Sequence, residues 1–140
     1  MIFVSDATRR RSCTWDPQMT RPVVASTTIA AAALSCGTHS AGPTAPKSVP
    51  TGATCMLRAF RNHCAPATYE LDVMGVDTID RRTFRIANCH VLVAESFRVV
   101  PRPPQSTIHA VCAGIRRTGT DIVAYSCTGI HVARTFSLTH

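Results

Sequence analysis

The sequence predicts a mainly β domain: a small antiparallel sheet or partly open barrel of four to five strands with one short helix, α+β being the alternative. Three observations lead there. Between Tyr69 and Val73, apolar Tyr69, Leu71 and Val73 alternate with acidic Glu70 and Asp72, the period of two that a half-buried strand requires. From Phe84 to Val93 a second alternation sets Phe84, Ile86, Asn88 and His90 against Arg85, Ala87, Cys89 and Val91. Two apolar runs, 108–115 and 122–130, flank Arg116-Arg117-Thr118-Gly119-Thr120-Asp121, a hairpin pattern.

The elements follow in chain order. Met56, Leu57, Phe60 and Cys64 keep roughly helical spacing and predict a short helix over 55–63. A strand over 69–76 comes next, and Asp80-Arg81-Arg82 is expected to turn the chain into a strand over 84–93. Pro101, Pro103 and Pro104 break the chain before the hairpin, and a last strand is expected over 131–138. In the hairpin, Gly119-Thr120 fits a two-residue type II′ turn, because glycine takes its positive φ without cost. Thr118 then faces Asp121, partner numbers sum to 239, and Cys112 falls opposite Cys127.

No charged residue occurs between Arg21 and Lys47. Inside that gap, Pro22 to Ser35 is small, uncharged and apolar; it has the length of a signal-peptide core and is too short for a bilayer span of roughly 20 residues. It ends in Ala33-Leu34-Ser35-Cys36-Gly37. These residues resemble the lipobox of bacterial lipoprotein precursors. The resemblance implies that Cys36 is lipidated as a thioether, that cleavage falls between Ser35 and Cys36, and that two acyl chains anchor the product stably. Residues 1–35 are then an N-terminal extension plus signal peptide, with Met19-Thr20-Arg21 as the cleaner start. Residues 36–52, rich in Gly, Ser, Thr and Pro, form a lipidated flexible tether, and 53–140 the globular domain. Cleavage after Ala41, giving a secreted protein, is the alternative.

Export places Cys55, Cys64, Cys89, Cys112 and Cys127 in an oxidising compartment, where disulfides persist. Cys112 with Cys127 is the pair with a geometric argument; Cys55 with Cys64 is the expected second, leaving Cys89 unpaired. Zinc is the rival use of His63-Cys64 and Cys89-His90, but C-x₂-C spacing is absent, so neither a metal nor another cofactor is expected. Tyr69, Asp72, Asp77, Asp80 and Glu95 are too scattered to nominate catalytic residues.

The formal net charge is +7, carried by fourteen arginines and the single lysine Lys47. That bias, with the Ala, Thr, Val and Pro content, fits GC-rich codons and speaks of a genome more than of a ligand. Arg81-Arg82 and Arg116-Arg117 are doublets rather than a run, and no aromatic-rich or zinc-finger pattern marks a specific nucleic-acid reader. The expected function is a lipid-anchored cell-envelope protein with a disulfide-stapled domain for binding or structure. Its partners would be the membrane through the anchor, and an envelope protein or anionic surface. A small envelope enzyme or metal-binding protein using Cys or His, and a soluble basic nucleic-acid-binding protein, are the alternatives.

Overall fold

The structure is a computed structural model that describes residues 32–44 and 48–140. Most of the segment expected to act as a signal peptide, including Met19 and Pro22, lies outside the described residues. The elements are β1 (Leu34–Ala41), α1 (Thr51–Arg61), β2 (Ala67–Met74), β3 (Thr78–Ala87), β4 (His90–Val99), β5 (Ile108–Cys112), β6 (Gly114–Thr118), β7 (Asp121–Tyr125) and β8 (Thr135–Ser137). They form a five-stranded sheet in the order β1-β2-β3-β4-β5 and a three-stranded sheet in the order β6-β7-β8. The domain is mainly β, with one helix and two sheets among the described residues rather than a closed barrel.

The alternation in the sequence builds the core. Register places Tyr69 opposite Phe84, Phe84 opposite Val93 and Val93 opposite Ala110, so one row of side chains crosses four strands on the inner face. A second row runs through Ile86, Val91 and Cys112. All seven are buried. Burying each large side chain contributes roughly 1.5–3 kcal/mol. Tyr69 anchors the centre: its ring lies 6.1 Å from that of Phe84 at 22°, and its hydroxyl donates to the Leu138 carbonyl at 3.2 Å. Burial pushes this phenol up to about 12, because the ionised form loses its water.

Helix α1 lies against this face, burying Ala53, Met56, Leu57 and Ala59 and touching β1, β2, β6 and β7. It is the crossover between β1 and β2, which are parallel and so cannot be joined by a tight hairpin. Gly52 sits so close to the Tyr69 ring that a side chain there would collide with it.

Several boundaries differ from expectation, each for a physical reason. The helix begins four residues before Cys55, at Thr51. Asp80-Arg81-Arg82 lies inside β3, because its charges pair on the two faces of the sheet instead of facing water in a turn. The turns fall instead after Met74, where Gly75 N–H donates to Thr78 O at 2.8 Å, and at Asn88-Cys89. There φ values of +51° and +57° and the Ala87–His90 pairing make a two-residue primed turn, which splits the expected strand over 84–93. Most of β1 and the first residues of α1 fall within 36–52, expected as a tether, and β1 begins two residues earlier, at Leu34, within the segment expected as signal peptide. Ala113 likewise separates β5 from β6, so the apolar run 108–115 serves both sheets.

Candidate functional site

The cysteines fix the frame. Bridges join Cys36 to Cys55, Cys64 to Cys89 and Cys112 to Cys127. Cys55 and Cys64 are therefore not partners of each other. Cys55 lies in α1 and Cys64 three residues beyond its end, and the six helical steps from Cys55 to Arg61 already rise about 9 Å, beyond disulfide reach. Cys89, expected to be unpaired, is half of the second bridge, and its sulfur and that of Cys64 are thereby removed as thiolate metal ligands. Cys36 packs against the core beside α1. A sulfur in a cystine cannot also carry a thioether, so bridging and lipidation are exclusive fates for Cys36.

The third bridge follows from strand register. Gly119, at φ +61°, turns the hairpin, Thr118 pairs with Asp121, and Val111 bridges Thr128. Pairing on the same sum therefore continues past the bend at Ala113 and sets Cys112 beside Cys127.

Beyond that bridge the chain opens a groove of about 570 Å³ walled by β6, β7, the 126–134 segment and the start of β8. Ile115, Ile122 and Ala124 face the core, so Arg116 and Tyr125 project from the opposite face. Arg116 pairs with Val123, which makes Tyr125 its diagonal neighbour, and its guanidinium rests 4.8 Å from the Tyr125 ring centroid. Arg134 comes from across the groove, where its carbonyl accepts the Cys127 N–H at 3.0 Å. Neither arginine meets a carboxylate among the described residues, and no acidic side chain lines the groove. Ser126 and Thr128 add hydroxyls; that of Thr128 donates to Val111 O at 3.3 Å.

In the five-stranded sheet, by contrast, the charges are spent on each other, first at one end of its inner face. Arg82 binds Asp80 at 2.6 Å and Glu95 at 2.9 Å, and donates to the His140 carbonyl. On the outer face Arg81 forms a two-pronged pair with Asp72 at 2.8 and 2.9 Å. This hydrogen-bonded pairing, with Glu70 nearby, holds the Arg81 guanidinium protonated well above its usual range. Asp77 stays exposed. The acidic and tyrosine residues weighed in the sequence are thus distributed over both faces of the sheet and its turn, and no group of three metal-ligating residues occurs among the described residues. Arg116 and Arg134, missed in the sequence, gather at the groove. Hairpin register could have placed Arg116 beside Tyr125, but nothing local brings in Arg134.

No family model, curated protein or solved structure matches the chain.

Proposed function

We propose that this protein is an exported cell-envelope domain, held together by three disulfides and working by binding. The observation that carries this reading is that every cysteine among the described residues is paired, an arrangement that persists in oxidising compartments and is rare in a reducing cytosol. The open polar groove supports binding as the mode of action. A second reading, lipid anchoring at Cys36, is favoured by Ala33-Leu34-Ser35-Cys36-Gly37 and by the uncharged stretch before it. It would release Cys55 as a free thiol and leave two bridges.

Labelling with a fatty-acid probe, fractionation and thiol alkylation on the same cells test both readings. Unlabelled protein in the envelope or medium with no alkylated cysteine among residues 32–140 is the expected result. Label lost in Cys36→Ala, together with alkylated Cys55, establishes the lipid-anchored form instead. Cytosolic protein with reduced thiols overturns export altogether.

A further inference from the structure

We propose that the groove beside the Cys112–Cys127 bridge binds a sugar-sized ligand through an anionic group, a phosphate ester or a carboxylate. The proposal deepens the binding reading above and rests on the bridged chain being the working form.

Charge is the first argument. Arg116 and Arg134 both line the groove and no carboxylate does, so no lining side chain neutralises either arginine. Guanidinium groups present planar forks of N–H donors that match the paired oxygens of phosphate and carboxylate. Arg116 is already steered: its stacking on Tyr125 restricts the rotamers it would otherwise lose on binding. The orienting cost therefore falls on Arg134 alone.

Shape and hydrogen bonding set the rest of the ligand. A volume of about 570 Å³ is several times what one phosphate fills and lies within the range of small-molecule clefts. Ser126 has no hydrogen-bond partner among the described residues and can donate or accept. Thr128 has spent its proton on Val111 O, so it can only accept, which suits a ligand hydroxyl rather than an anion. Two cationic forks beside a donor and an acceptor describe an anionic, hydroxylated molecule. The wall behind them is rigid. Cys127 is bridged to Cys112, Val111 and Thr128 exchange backbone hydrogen bonds at 2.9 Å, and a Cβ on Gly129 would lie 2.5 Å from the His109 carbonyl. Only glycine lets the 126–134 segment approach β5 this closely, so the near wall of the groove, at 127–129, is held in place.

The test is an amide-shift titration of the full chain, purified with neither reductant nor added oxidant, at low salt with four probes: glucose 6-phosphate, glucuronate, inorganic phosphate and glucose. Shifts confined to 126–134 and 114–117 with glucose 6-phosphate, glucuronate or both are expected, and the stronger of the two identifies the anion. Arg116→Gln and Arg134→Gln should each weaken that binding about 10-fold or more, whereas Arg85→Gln, on the exposed face of β3, should not. The proposal is overturned if glucose binds as well as the anions, if inorganic phosphate matches glucose 6-phosphate, or if Arg85→Gln weakens binding as much as the groove variants. It is also overturned if no shift appears at the groove. Thiol counting on the same sample separates the two readings: a fully bridged chain whose groove ignores anions defeats this proposal alone, while free thiols defeat the bridged-domain reading on which it rests.

Discussion

Arg81-Arg82 and Arg116-Arg117 are the same dipeptide on antiparallel strands, but their surroundings divide them. In the first doublet Arg82 is clamped between Asp80 and Glu95 with all three side chains largely buried, and Arg81 grips Asp72 on the opposite face. In the second, Arg116 rests on an aromatic ring and meets no acid among the described residues. The acidic residues explain the contrast. Five of the six beyond position 37 lie between 70 and 95, so the five-stranded sheet neutralises its own arginines and the three-stranded sheet leaves its own available. A net charge read from composition averages over these two regimes; only strand register tells a structural arginine from one free to meet a ligand.

The contrast can be broken experimentally, beginning with the largest effect. The Cys112–Cys127 bridge closes a separation of 15 residues and ties the second region to the first. Replacing both cysteines by serine should cost about 3 kcal/mol of unfolding free energy in urea and sharply loosen the 126–134 amides in hydrogen exchange. Unchanged protection there would show that the groove does not depend on the bridge. Arg82→Gln strands two mostly buried carboxylates and should cost about 2 kcal/mol. Arg81→Gln, whose side chain is half exposed, should cost under about 1 kcal/mol. Equal losses from the two would deny that burial, rather than pairing alone, makes Arg82 structural.

Tyr69 sharpens the comparison by pH. Its phenol stays neutral in the folded state up to about 12, against about 10 when unfolded. Between those values the unfolded chain has lost a proton that the folded one keeps, so stability falls as pH rises, by about 1.4 kcal/mol per unit. Tyr69→Phe should remove that slope from urea midpoints measured above pH 10, while costing about 1 kcal/mol at neutral pH through the lost bond to Leu138. The smallest stability effect belongs to the groove: Arg116→Gln and Arg134→Gln should each change unfolding free energy by under about 1 kcal/mol. A larger loss would make them structural after all.

What the sequence made legible was local. Alternation at 69–73 and the hairpin around Gly119 are written in neighbouring residues, and from the hairpin the approach of positions 112 and 127 follows by counting. What it hid was non-local. The charged Asp80-Arg81-Arg82 has the composition of a turn, yet its partners Glu95 and Asp72 arrive from the adjacent strands and keep it extended. β1 gives no alternation, because its register shifts between Ser35 and Thr38 with Gly37 at φ +83°. The Cys36–Cys55 pairing depends on the parallel β1-α1-β2 crossover, and the presence of Arg134 on the same groove as Arg116 depends on the loop that returns from Cys127.

The three-bridge frame underlies both the fold and the groove, and peptide mapping of the purified protein under non-reducing conditions reads it out. The frame predicts three linked peptide pairs, Cys36 with Cys55, Cys64 with Cys89 and Cys112 with Cys127. A linked Cys55–Cys64 pair, or a Cys36 peptide carrying acyl mass with Cys55 alkylated, would contradict it.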